Sequence, residues 1–249
     1  MRLHEVRVSS TFVYLIQEAG GCDLYQFLGQ AARHHALSPL VIAAIAEGLS
    51  AGVAAMHAHG WCHRDIKPEN VLLSDNTTGA QIKIVDLGLS RFHDERKLMR
   101  TICGTHKYLA PELIKCDRGQ AQGYDKTIDM WGVGLLAYIM LFGFNPFARS
   151  AQTETHNAIL ACTWAFPDGY TVSKEAMDFV AVRIARLYLG GHYGKRKLVN
   201  LIQNVEPCFA PWVSHSTHIH DCLSLLLEFL LHRMDRLIHL VTQILRTGL

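Results

Sequence analysis

Eight consecutive residues, His63-Arg64-Asp65-Ile66-Lys67-Pro68-Glu69-Asn70, put a carboxylate, an ammonium and a carboxamide into one short stretch. A carboxylate can take a proton from a hydroxyl, an ammonium can neutralise phosphate charge, and carboxamide and carboxylate oxygens suit a hard cation such as Mg²⁺. Those are the demands of phosphoryl transfer, which asks for positioning and electrostatics more than for covalent chemistry. Asp65, Lys67 and Asn70 can each meet one of them. Six fixed residue types in one register arise by chance on the order of once in 10⁵ chains of this length, so a plain polar loop is the weaker reading.

The octapeptide resembles the catalytic loop of eukaryotic-type serine/threonine protein kinases, H-R-D-L-x-x-x-N, with isoleucine for leucine and the lysine two residues after the aspartate. Asp86-Leu87-Gly88 is similar to the metal-binding D-F-G element, with an apolar leucine for phenylalanine, and Ala110-Pro111-Glu112 to the end of the activation segment. The resemblance covers roughly residues 3 to 181 and is greatest to the calmodulin-dependent group. It implies that Asp65 orients or deprotonates a Ser/Thr hydroxyl of a protein substrate and that Lys67 neutralises the departing γ-phosphoryl group of ATP. It implies further that Asn70 and Asp86 hold Mg²⁺, and that Lys67 and Glu69 join them on the nucleotide side. Thr105, in Cys103-Gly104-Thr105, resembles the residue that hydrogen-bonds the aspartate and the lysine. Thr101 falls where an activating kinase phosphorylates related enzymes, and Arg64 is a natural partner for such a phosphate. His106 and Lys107 stand where the family has proline and glutamate, which argues against the basic-substrate preference that Glu69 and Asp23 would otherwise support.

The elements that must position these groups are legible on both sides of the loop. Leu3 to Ile16 reads as strand, turn and strand around Ser9-Ser10, and Glu18-Ala19-Gly20-Gly21 resembles the hinge between kinase lobes. Asp23 to Leu28 predicts a short helix. Ser38-Pro39 supplies a cap and a first-turn proline for a longer helix whose buried face is Ile42, Ile45, Leu49, Val53 and Met56, with Gly60 as its stop. Val71-Leu72-Leu73 and Ile82 to Val85 read as strands joined by a polar hairpin, which also accounts for the glycosylation-like Asn76-Thr77-Thr78. The charged stretch from Asp86 to Glu112 has little apolar periodicity and predicts a mobile surface loop. Asp129-x-Trp131-x-x-Gly134 opens an apolar helix that is similar to the central helix of the kinase large lobe.

The expected fold is therefore α+β, mainly α: a kinase-like large lobe with a remnant of the small-lobe sheet. No Gly-rich loop precedes the hinge-like segment and no V-A-I-K-like tetrapeptide occurs in the chain, so the small lobe is expected to be largely absent and the chain weakly active or inactive. A function of a different class is a catalytically impaired kinase-like binding or scaffold module.

Length and composition bound the rest. The chain has 249 residues, 49% hydrophobic and 18% charged, enough for a substantial core, and a formal net charge of +2 gives no reason to invoke nucleic acid. No apolar leader follows Met1, and the longest apolar run, Met130 to Phe144, has 15 residues against the roughly 18 to 20 needed to span a bilayer, so no membrane is expected. Seven scattered cysteines without a C-x-x-C pair read as reduced thiols, consistent with a cytoplasmic location, the nucleus remaining open.

Beyond residue 181 the resemblance stops. Residues 182–221 read as a divergent, poorly ordered segment, and His215, His218, His220 and Cys222 as a histidine-rich linker, since their spacing fits no zinc pattern. Residues 222–249 carry Leu223, Leu227, Leu230, Met234, Leu237, Val241 and Ile244 in a heptad stripe, which predicts an amphipathic helix that self-associates or docks on the lobe.

Overall fold

The computed structural model describes residues 1–33, 37–74, 81–94 and 96–189, all of which belong to one unit, Met1–Tyr193. The predicted C-terminal helix, the histidine cluster, the sequon and residues 190–221 of the divergent segment lie outside the described residues. Within them are six α-helices and three two-stranded antiparallel sheets, the mainly α arrangement that the pattern predicts.

β1 (Leu3–Val8) and β2 (Val13–Gln17) form a hairpin in which Val8 faces Val13 and Arg7 faces Tyr14. Ser9 closes it by donating its amide to the Phe12 carbonyl at 2.8 Å and accepting the Phe12 amide on its hydroxyl at 2.9 Å. The chain then passes Gly21, whose amide reaches the Leu73 carbonyl at 2.8 Å.

The short helix extends further than its apolar pattern indicates, as α1 (Leu24–Arg33), started by the Asp23 carboxylate accepting the Gln26 amide at 2.7 Å. α2 (Pro39–Ala58) begins as predicted, with the Ser38 hydroxyl on the Val41 amide and proline in the first turn. Its Val41, Ile42, Ile45, Leu49 and Val53 are buried. At 20 residues and a mean hydropathy of 1.7, α2 is long and apolar enough to cross a membrane by length and composition alone. Its buried face instead packs within the core.

β3 (Trp61–Cys62), β4 (Val71–Leu73), β5 (Ile82–Ile84) and β6 (Arg91–Phe92) frame the His63–Asn70 loop: β3 pairs with β6 and β4 with β5. The stretch after Asp86 is tied to the body of the domain at Met99. Met99 and Tyr124 exchange amide-to-carbonyl hydrogen bonds at 2.8 and 2.9 Å, and both side chains are buried. The tie comes from a residue beyond the segment, where local periodicity has nothing to show.

α3 (Pro111–Asp117) leads to α4 (Ile128–Phe142), which is buried on nearly all sides, as expected of a helix that is apolar all round. α5 (Gln152–Ala161) escapes a pattern reading because polar Thr155 and His156 share its inward face with Ala158 and Ile159. α6 (Lys174–Leu189) packs on α4 and runs without a break through residue 181.

Gly132 of α4 lies against the loop: a Cβ there would sit 2.6 Å from Ile66 Cβ and 3.1 Å from its carbonyl oxygen. Gly132→Ala is expected to destabilise by about 1–3 kcal/mol through overpacking. Gly29→Ala, on an α1 face with nothing within 4 Å, should stabilise by about 0.5–1 kcal/mol through helix propensity. Urea unfolding of the two variants checks both signs, and a stable Gly132→Ala would contradict the packing.

Candidate active site

The loop is suspended from one carboxylate. Asp129, in the first turn of α4 and 2% exposed, accepts the backbone amides of His63 and Arg64 at 2.8 Å each, and its Oδ2 also lies 2.8 Å from His57 Nε2 on α2. Arg64 takes φ +70°, a left-handed conformation that costs on the order of 1–3 kcal/mol in a non-glycine residue. Hydrogen bonds to a charged acceptor, worth roughly 1.5–3 kcal/mol each, offset that strain. His63 is fully buried, and its Nε2 is 2.9 Å from the Val85 carbonyl, so the loop is also tied to the segment before Asp86.

The next residue, Asp65, is 7% exposed and gathers the predicted site around its two oxygens. Oδ1 accepts the amide and the hydroxyl of Thr105, each at 3.0 Å. Oδ2 pairs with Lys67 Nζ at 2.9 Å and accepts Asn70 Nδ2 at 3.2 Å. Lys67 Nζ also donates to Thr105 Oγ1 at 3.0 Å, and Asn70 Nδ2 to the Asp65 carbonyl at 2.9 Å. Gly104, at φ +107°, allows this approach, since a Cβ there would meet the Arg64 carbonyl oxygen at 3.0 Å.

Burial works against the Lys67 charge, but the Asp65, Glu69 and Asp86 carboxylates outweigh it and hold its pKa above the ordinary lysine value. A buried carboxylate beside a firm cation can accept a proton from a hydroxyl and present positive charge in the same place.

Asp86 is exposed and left-handed at φ +60°, with Oδ1 accepting the Gly88 amide at 3.3 Å. Both described Asn70 side-chain contacts use its nitrogen, which keeps its oxygen available. The donor set of Asn70 and Asp86 therefore fits a hard divalent cation. Glu69, in the 3-10 turn Pro68–Asn70, is exposed, and its charge acts on Lys67.

Around unmodified Thr101 two arginines divide the contacts. Arg64 does not touch it: Nε donates to the Leu89 carbonyl at 2.6 Å and a guanidinium nitrogen to the Tyr124 hydroxyl at 3.2 Å, while that hydroxyl donates to the Thr101 carbonyl. Arg91 is the direct partner, with NH1 3.2 Å from Thr101 Oγ1. A strand-end arginine ten residues away carries no sequence signal of that contact.

Sequence reasoning also missed the anchor. Asp129 is visible as a lone acid opening an apolar helix, and a charge in a helix that must be buried is itself the signal of a partner. His57, near the end of α2, gives no such sign.

A family model described as "Protein kinase domain" matches residues 1–186. Myosin light chain kinase A of Dictyostelium discoideum is 40% identical over 51% of this chain and 42% of its own length. Calcium/calmodulin-dependent protein kinase type I of Schizosaccharomyces pombe is 37% identical over 55% of this chain and 41% of its own. A calcium/calmodulin-dependent protein kinase of Emericella nidulans is 40% identical over 55% and 34%. The chain spans less than half the length of each of these three relatives.

Glu112, at the start of α3, carries a buried Oε2 with no hydrogen-bond partner among the described residues, and burial pushes its carboxyl up to about 7. A carboxyl raised above its unfolded value holds its proton more tightly when folded. Its contribution is therefore full below the unfolded pKa and is lost as pH rises through about 7. Glu112→Gln should match the wild type near pH 5 and exceed it in stability at pH 8, by on the order of 3 kcal/mol at most. Thermal unfolding at the two pH values measures it, and a variant no more stable at pH 8 than at pH 5 relative to wild type would contradict it.

Proposed function

The chain belongs to the protein kinase family, as a serine/threonine kinase by relationship, and we propose that Asp65, Lys67, Asn70, Thr105 and Asp86 form the site with which it phosphorylates Ser or Thr of proteins. The observation that carries this reading is the convergence of Lys67, Asn70 and Thr105 on the two oxygens of Asp65. Family members use ATP and Mg²⁺ in general, and here Asn70 and Asp86 would hold the metal, with Lys67 and Glu69 on the nucleotide side. The bound metal supplies charge neutralisation on the phosphates. The body from α1 to α6 reads as the large lobe, and the β1–β2 hairpin as a remnant of the small-lobe sheet.

In the step itself the substrate hydroxyl oxygen bonds to the γ-phosphorus, the bond from that phosphorus to the ADP oxygen breaks, and Asp65 receives the hydroxyl proton. Thr105 on Oδ1, and Lys67 with Asn70 on Oδ2, fix the plane of the Asp65 carboxylate that receives the proton. Lys67, kept charged by its three carboxylate neighbours, stabilises the phosphoryl group as negative charge shifts to the leaving oxygen.

Thr101 suits regulation by an activating kinase. A phosphate there adds a charge of about −2 beside Arg91, with Arg64 one hydroxyl further on. The free thiols Cys22, Cys62, Cys103 and Cys116 suit a reducing compartment, cytoplasmic or nuclear.

The test is transfer of labelled γ-phosphate to a serine peptide by the chain and by Asp65→Asn. Transfer should fall by about 10²- to 10⁴-fold while Mg-ATP affinity stays unchanged. Equal transfer by the variant would remove Asp65 from the chemistry, and no transfer by the wild type would favour the catalytically impaired binding or scaffold module over a kinase active in this chain.

Thr101→Ala is expected to lower transfer by about tenfold, and only in protein first treated with an activating kinase. Loss of activity in untreated protein would instead give Thr101 a structural role.

A further inference from the structure

We propose that the turn His106–Tyr108 selects substrates with an acidic side chain within two residues of the acceptor hydroxyl, His106 and Lys107 being the specificity-determining residues. The inference rests on Asp65 being the group that receives the acceptor. His106 and Lys107 are the first and second residues after Thr105, which is itself 3.0 Å from Asp65 Oδ1 through both its amide and its hydroxyl. Successive residues of an extended substrate are about 3.8 Å apart at Cα, so the immediate neighbours of the acceptor must pass beside this turn. Both side chains there are exposed.

The turn is braced from behind. Asn145 Nδ2 donates to the Lys107 carbonyl at 2.8 Å, and Gln152 Nε2 lies 2.9 Å from His106 Nδ1. The ring of His156, a buried residue of α5, lies 5.7 Å from that of His106. The Gln152 nitrogen can only donate, so His106 Nδ1 accepts in this contact and Nε2 is the ring nitrogen left to donate to an incoming carboxylate. Lys107 Nζ has no ion-pair partner among the described residues. Three acids bear on the turn: Glu69, exposed, whose charge reaches Tyr108; Glu112, five residues after Lys107, whose Oε2 is buried; and Glu154, exposed in the first turn of α5. None forms an ion pair with Lys107 among the described residues. A fixed backbone bearing an uncommitted ammonium and an imidazole donor is complementary to Asp, Glu or a phosphorylated residue, and repels Lys or Arg in the same place.

The probes are two otherwise identical peptides, a serine flanked on each side by aspartate or by lysine, titrated into the isotope-labelled full chain while the amide resonances of Asp65, Thr105 and Tyr108 are followed. The aspartate peptide is expected to bind about fivefold more tightly, the range of one or two exposed charge pairs. Lys107→Glu, a change at an exposed position, should reverse the order. His106→Ala should reduce the preference without reversing it. Equal affinity for the two peptides at Thr105, or an order unchanged in Lys107→Glu, overturns this inference alone. Binding that leaves the Asp65 and Thr105 amides unmoved, or no binding by either peptide, overturns the reading of Asp65 as acceptor site as well.

Discussion

A single buried carboxylate carries the geometry of this protein. α4 is nearly all apolar and sits in the middle of the core, yet its first turn holds Asp129 at 2% exposure. A charge in that position is costly unless it is paired, and three donors meet it, two of them backbone amides of the loop that carries the site. The helix N-terminus adds favourable electrostatics of its own. The acid thus serves the core and the site at once. Without it the left-handed turn at Arg64 loses the bonds that offset its strain, and Asp65 loses its placement.

From that anchor the activation segment is tied at three points to three consecutive residues. His63 meets the Val85 carbonyl just before Asp86, Arg64 meets the Leu89 carbonyl and Tyr124, and Asp65 meets Thr105. Any change in the order of the segment is therefore felt at the candidate base, because Asp65 Oδ1 has Thr105 as its partner. Tyr124 sits at the crossing: it bonds Met99 through its backbone and links Arg64 to Thr101 through its hydroxyl. One buried phenol and one guanidinium thus link the Thr101 neighbourhood to the His63–Asn70 loop.

Much of this was legible in the residues. Three functional groups in one register singled out the loop from His63 to Asn70, and the structure brings Lys67 and Asn70 onto Asp65. Asp86 and Thr105 were found by resemblance, and the geometry brings Thr105 onto both Asp65 and Lys67. Helices whose apolar positions repeat on one face, such as α2, were also within reach. What escaped has a common cause: the determinants act across long separations in sequence. Asp129 lies 64 residues after Asp65, Tyr124 reorganises a segment whose own residues look mobile, and α5 buries His156 and Thr155 where a pattern reading requires leucines. The contact of Arg91 with the Thr101 hydroxyl was hidden for the same reason.

The most direct test of the central role of Asp129 is hydrogen exchange at the amides of His63 and Arg64, measured in the wild type and in Asp129→Asn. The substitution keeps size and shape but removes the charge and one acceptor oxygen. If the carboxylate holds the loop, exchange at both amides should quicken by about tenfold or more, the equivalent of weakening a charged hydrogen bond of roughly 1.5–3 kcal/mol, while amides in the middle of α4 stay protected. Unchanged protection at His63 and Arg64 would contradict the account and leave the loop held by its own turn.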